Sequence, residues 1–212
     1  MLKVNEIFHS IQGESSHAGR PCVFVRLTGC NLRCTYCDTE YAFYEGEDMA
    51  EDEILEQVAA FKTPLVEVTG GEPLMQAGVI PLMARLLADG YEVMLETGGS
   101  LPVSDVPAEV FKIVDFKTPS SGMEKHNLWS ILDDLAGHDE IKFVIGDRAD
   151  FDWATAQVRQ RGLTQRHTVL FSPTFGDLDP QELAGWILAA ALPVRLQLQL
   201  HKIIWDPSLR GV

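Results

Sequence analysis

The sequence predicts an α/β protein built as an incomplete, TIM-like parallel barrel of about six βα units. Short β-branched and apolar segments alternate with segments of helical period along most of the 212 residues. That is the pattern of parallel strands joined by right-handed crossovers. Polar and glycine-rich residues recur after the strands, at Cys30–Thr39, Thr69–Glu72, Glu96–Gly99, Asp115–Thr118, Ser172–Thr174 and His201. In barrels and open α/β sheets, ligand sites gather at the carboxyl ends of strands. One or two crossovers are short, notably around Leu101–Pro107, so the outer helical layer is expected to be thin.

The elements follow in order. Val4–Phe8 reads as a strand, and Ser10–Gly19, rich in Gly and Ser, as a loop. Cys22–Thr28 is a strand with β-branched and aromatic residues. Met49–Lys62 carries apolar residues near helical spacing, and Thr63-Pro64 stops it. Leu65–Thr69 is a compact strand running into Gly70-Gly71-Glu72-Pro73, where two glycines let backbone approach a ligand. Val79–Asp89 is a helix ended by Gly90, and Tyr91–Thr97 a strand. Val110–Phe116 is a strand, Asn127–Leu135 a helix, Glu140–Ile145 a strand and Ala149–Arg161 a helix. His167–Phe171 is a strand, Pro180–Leu192 a helix with Pro at its start, and Val194–Leu200 the last strand. No internal repeat or linker interrupts the series, so residues 1–212 are expected to form one domain.

A net charge of −14 repels phosphate backbones and argues against nucleic acid as a partner. The acids of Glu45–Glu56 read as a solvated loop and helix start. No apolar run approaches the ~20 residues of a membrane span, and the N-terminus lacks a secretory pattern. With free thiols, this points to the cytoplasm.

Three cysteines, Cys30, Cys34 and Cys37, fall within eight residues. Pairing two of them would close a very small loop and strand the third, so a disulfide framework fits poorly. Thiolates favour iron–sulfur clusters, zinc or cuprous ion. Structural zinc takes four protein ligands, and only His17 and Cys22 stand near enough to be considered. Cys22 reads as a small buried hydrophobe. Three thiolates without an evident fourth suggest a cluster with one iron open. Arg26, in an apolar run, sits either at its strand's mouth or against an anion.

This spacing, with Tyr36 before the last cysteine and Gly70-Gly71-Glu72-Pro73 downstream, resembles the radical S-adenosylmethionine (SAM) superfamily. Ile7–Glu14, Gly19–Pro21, Phe24–Leu27, Cys37–Thr39, Thr69–Pro73, Glu96-Thr97 and Gln199–Lys202 resemble the 7-carboxy-7-deazaguanine synthases more closely. The resemblance implies a radical SAM core and a carbon–nitrogen lyase of queuosine and 7-deazapurine biosynthesis. Such an enzyme converts 6-carboxy-5,6,7,8-tetrahydropterin to 7-carboxy-7-deazaguanine with ring contraction and loss of ammonia. A 5′-deoxyadenosyl radical abstracts hydrogen from C6 of the pterin, and SAM is regenerated.

The resemblance also implies roles for matching positions. Cys30, Cys34 and Cys37 would bind a 4Fe–4S cluster, and Thr39 a magnesium ion, which takes oxygen ligands. Tyr36, Cys37, Asp38, Gly71, Asp115, Phe116, Lys117, Ser172, Pro173, Thr174 and Phe175 would lie along SAM. Ile11, Gln12, Gly13, Glu14, Arg26, Thr69, Glu96 and His201 would surround the pterin. A homodimer and an electron donor such as flavodoxin or ferredoxin are implied as well. In parts of the family the chain ends soon after the His-Lys pair, and its carboxylate touches substrate. Here Trp205–Val212 follows, so Pro207 has no free carboxylate, and a side chain or Val212 would take that place. The alternatives are a glycyl-radical activase of a partner enzyme and a structural zinc or electron-transfer protein.

Overall fold

The computed structural model describes all 212 residues. One nine-stranded sheet runs through them in the order β3-β1-β2-β4-β5-β6-β7-β8-β9. Its strands are β1 (Leu2–Ile11), β2 (Pro21–Leu27), β3 (Glu47–Met49), β4 (Leu65–Gly70), β5 (Glu92–Thr97), β6 (Phe111–Asp115), β7 (Glu140–Ile145), β8 (Thr168–Pro173) and β9 (Arg195–Leu196). From β2 to β9 every pairing is parallel; β1 joins β2 and β3 antiparallel. The sheet has two free ends, which makes it the incomplete barrel expected.

The α-helices are α1 (Glu51–Ala60), α2 (Val79–Ala88), α3 (Arg148–Arg161), α4 (Pro180–Ala189) and the four-residue α5 (His201–Ile204). No α-helix links β5 to β6, and only 3-10 turns link β6 to β7. The helical layer is therefore thin there, as the short crossover implied. The main core lies between sheet and helices, with Ile54, Leu82, Phe143, Phe151 and Leu183 fully covered. Strands buried on both faces read as near-continuous apolar runs, as in β4. A second, small cluster of Cys22, Leu65, Met94 and Ile113 fills the barrel interior at its lower end. Cys22 is thus a buried hydrophobe, as read.

Three expectations are corrected. Asn127–Leu135 forms only a 3-10 helix over Trp129–Asp133. The Asn127 amide is tied to both the N–H and the carbonyl of Lys117 at 2.8 Å, and Leu128 N–H donates to Gly99. Those bonds fix the segment's entry, and Asp133 and Asp134 stand at its C-terminal end, where negative charge opposes the helix dipole. Val194–Leu200 pairs over only two residues, because Pro173 in β8 offers no N–H to lengthen the ladder. Its last residues turn instead into α5. Within the acidic stretch, Glu47–Met49 is an edge strand against Leu2–Val4. Its two exposed acids discourage further pairing at that edge.

Candidate active site

The carboxyl ends of the parallel strands surround a cavity of about 570 Å³. The cysteine loop crosses its rim and is fixed by its neighbours. Gly29 N–H donates to Ala42, and Gly29 carbonyl accepts from Glu72 N–H, both at 2.8 Å. The Arg33 guanidinium donates to Cys30 carbonyl at 2.8 Å and lies 4.2 Å from the centre of the Phe43 ring. Thr35 binds the loop after β6 through its N–H to Ser121 and its hydroxyl to Ser120. That loop is itself held by the buried Asp150, which accepts from Ser120 N–H, Thr118 hydroxyl and Gly146 N–H. The loop is therefore held by bonds to the turn after β4 and to the loop after β6.

Cys30, Cys34 and Cys37 are free, half-buried thiols, and all three line the cavity. Burial raises the Cys30 thiol and pushes Cys34 up to about 11. No set of three His, Cys, Asp or Glu side chains converges on a single ion position. Three thiols without a fourth protein ligand suit a cluster with one open iron better than structural zinc, which takes four. His17 does not join the thiols; it packs edge-on against Phe111 at 4.5 Å.

Gly71 explains the two glycines after β4. A Cβ there would lie 2.7 Å from Cys30 Cβ and closer still to Gly29 carbonyl oxygen. Only glycine lets the backbone sit against the cysteine loop. Glu72 does not line the cavity: its carboxylate accepts from Thr97 hydroxyl at 2.9 Å, Gly98 N–H at 2.7 Å and Leu74 N–H at 3.1 Å. It ties the ends of β4 and β5 together. Along the same wall lie Tyr36, Asp38, Asp115, Lys117, Ser172, Pro173, Thr174 and Phe175. Asp115 Oδ1 and Thr174 Oγ1 are buried without a protein partner. With the Tyr36 hydroxyl, three orphaned polar atoms on this wall fit a polar cofactor such as SAM. Phe116 is corrected: its side chain leaves the cavity and stacks on Trp129 at 4.4 Å in the outer core. Period-two alternation sends Asp115 inward and Phe116 out.

Ile11, Gln12, Gly13, Glu14, Arg26, Thr39, Thr69, Glu96 and His201 also line the cavity. Arg26 donates through Nε to Glu6 at 2.7 Å, and Tyr41 hydroxyl reaches the same carboxylate. Its outer guanidinium nitrogens have no protein acceptor, so the anion-paired alternative holds with donors to spare. Thr39 hydroxyl lies 3.8 Å from Cys37 sulfur. Gln12 is otherwise engaged. Its amide donates to Glu67 and accepts from Glu14 N–H, and its backbone bonds Arg20 and Gly19. It shapes the 12–20 loop from within.

Two buried charges went unread in the sequence. Lys142, on β7, pairs with Glu14 and, at 2.8 Å, with Glu96. Glu67, on β4, is 1% exposed. Burial opposes the charge on Lys142, but the flanking carboxylates hold its pKa well above the ordinary lysine value. Glu14 is also buried, yet Lys142 and Gln199 hold it below the usual carboxylate range. Burial raises Glu96, and pushes Glu67 up to about 8, with Glu96 adding to the push. The signal was a lone charge inside an apolar strand, Glu140-Ile-Lys-Phe-Val-Ile145 and Leu65-Val-Glu-Val-Thr69.

The C-terminal segment closes one side. Leu200 N–H donates to Gly13 carbonyl at 3.0 Å, Gln199 to Glu14 at 2.9 Å, and Lys202 to Asp38 at 2.6 Å. Arg210 pairs with Glu45 and covers the Tyr41 ring at 3.8 Å. Pro207 and Val212 thereby reach the cavity wall.

Fold and cysteine site together define a radical SAM enzyme, and residues 24–118 match the model of the radical SAM superfamily. The cofactors of that class are a 4Fe–4S cluster and SAM. The chain is 49% identical to the 7-carboxy-7-deazaguanine synthase of Koribacter versatilis over the full length of both. It is 49% identical to that of Chlorobaculum tepidum, covering 100% of this chain and 97% of the relative. With the synthase of Methanospirillum hungatei it shares 40% identity over 97% of this chain and 86% of the relative. The crystal structure of QueE from Escherichia coli superposes with a TM-score of 0.77 at 23% identity, over 93% of each chain. The chain belongs to the 7-carboxy-7-deazaguanine synthase family. Nothing in these likenesses favours the activase or the zinc protein. No helix is long and apolar enough to cross a membrane.

Proposed function

We propose that this chain converts 6-carboxy-5,6,7,8-tetrahydropterin into 7-carboxy-7-deazaguanine, with ring contraction and release of ammonia. One observation carries the reading. A single cavity has three thiols at its rim and a buried carboxylate–ammonium floor beneath them, with a free guanidinium face between. Cys30, Cys34 and Cys37 would hold the cluster. Tyr36, Asp38, Gly71, Asp115, Lys117 and Ser172–Phe175 would hold SAM. When bound, cluster and SAM supply hydrogen-atom abstraction.

The protein's own residues do the rest. Arg26 turns its outer nitrogens to the substrate carboxylate, an arrangement suited to a bidentate bond. Glu14 and Glu96 accept ring and amino N–H groups, which ionised carboxylates suit. Thr39 offers a hydroxyl to magnesium, a hard ion that keeps few protein ligands. The apolar cluster below seals the floor against water. The same reading takes the enzyme to be a cytoplasmic homodimer fed by a flavodoxin- or ferredoxin-type donor, as the family resemblance implies. The test is anaerobic incubation of the reconstituted protein with SAM, reductant, magnesium and 6-carboxytetrahydropterin, followed by mass spectrometry. Absence of 7-carboxy-7-deazaguanine, with SAM cleavage intact, would overturn the substrate and leave the radical chemistry standing.

A further inference from the structure

The floor carries a donor that the roles above leave unused. Lys142 Nζ bonds Glu14 and Glu96, and its side chain is 7% exposed. An ammonium has three N–H donors. No third protein acceptor meets Lys142, and the residue lines the cavity. An N–H held from water without a partner is costly, so a buried cation with one open donor is built for a ligand acceptor. Glu14 gives its second oxygen to Gln199, whereas no protein donor reaches the second oxygen of Glu96. The floor therefore presents one N–H donor beside open carboxylate acceptor capacity. The apolar cluster of Cys22, Leu65, Met94 and Ile113 fills the barrel interior at its lower end, and Glu67, the polar group nearest the floor, is bonded to Gln12 and not to Lys142. The other cations on the wall are engaged: Arg26 with Glu6, Lys117 with Asp115 and Lys202 with Asp38.

We propose that Lys142 reads the substrate ring, donating its third N–H to the exocyclic ring oxygen while Glu96 accepts from the adjoining ring N–H. A 2-amino-4-oxo ring presents that order, an acceptor followed by two donors along one edge. The inference rests on the pterin reading above and adds a specificity determinant to it. Lys142 distinguishes an oxo substituent from a poorer acceptor at the same position. A purely structural lysine would hold Glu14 and Glu96 together and be indifferent to that atom.

The test compares 6-carboxy-5,6,7,8-tetrahydropterin, without reductant so that no turnover occurs, with its 4-thioxo counterpart, which keeps the ring and amino N–H groups and weakens only the acceptor. Dissociation constants are measured anaerobically on the cluster-loaded, SAM-bound enzyme. The wild type is expected to favour the oxo compound by about tenfold or more. Lys142→Met is expected to bring the two within about threefold by removing a charged hydrogen bond. Lys142→Arg, which keeps the cation between the carboxylates and therefore the fold, is expected to retain a preference. A folded Lys142→Met enzyme with the wild-type ratio would overturn the inference. So would a wild type that binds both compounds equally, a result that needs no variant to fold. If the wild type binds neither, the pterin reading itself fails and takes the inference with it.

Discussion

Glu67 offers a direct test of how the cavity floor is charged. Its carboxyl lies in the barrel interior, accepts a bond from the Gln12 amide, and faces Glu96 and Glu14. The one cation within reach, Lys142, is already bonded to both of those acids. Burial, and then Glu96, push Glu67 from 4.5 up to about 8. Between those two pH values the folded protein keeps a proton that the unfolded chain releases. The contribution of Glu67 to folding stability must therefore fall as pH rises through that window and level off above about 8. Each pH unit is worth about 1.4 kcal/mol, so the full loss approaches about 5 kcal/mol. Glu67→Gln keeps the shape and the bond from Gln12 but cannot ionise. The stability of the variant minus that of the wild type should be near zero at pH 4.5. It should grow to several kcal/mol, roughly 2–5, by pH 8.5. Urea unfolding of both metal-free proteins across that range measures it. A difference that stays flat from pH 5 to pH 9 would refute the buried-acid argument.

Cys34→Ala should abolish the cluster, read as loss of iron and of the visible absorbance after anaerobic reconstitution; an intact spectrum would remove the three-thiol assignment. Arg26→Ala should raise KM for the carboxypterin about tenfold or more, by loss of a charged hydrogen-bonding pair, and shift KM for SAM much less. Equal shifts would count against the carboxylate role. Gly71→Ala places a methyl group 2.7 Å from Cys30 Cβ, forcing the loop aside. Overpacking of that kind costs about 1–3 kcal/mol, so SAM binding should weaken at least about tenfold, and unchanged titration curves would refute the close approach.

Local chemistry was legible in the sequence and distant pairing was not. The thiol spacing, the glycines beside them and the alternation of strands and helices each depend on residues a few positions apart. They sufficed for the partial barrel, its thin layer after β5 and most of the wall. Phe116 was misplaced because a three-residue match ignores the period of two along a strand. The last strand was overextended because its limit is Pro173, in a different strand. Lys142 shows the deeper difficulty. One lysine in an apolar strand advertises a buried partner, but Glu14 lies 128 residues earlier and Glu96 lies 46 earlier. Gln12 lines the cavity, and its bond to Glu67, 55 residues on, left no local signal.

The bridging of the sheet's two ends governs when this site can exist during synthesis. The sheet never closes by a ladder; the loops after β1 and β2 meet the last segment through Leu200–Gly13, Gln199–Glu14 and Lys202–Asp38. Those contacts span up to 187 residues, from Gly13 to Leu200. A nascent chain that has made β1 to β8 owns all three cysteines and the lysine floor, yet lacks the wall that completes them. Contacts so distant in sequence form late and slowly. The ribosome must therefore release nearly the whole polypeptide before a radical could be generated inside a finished enclosure.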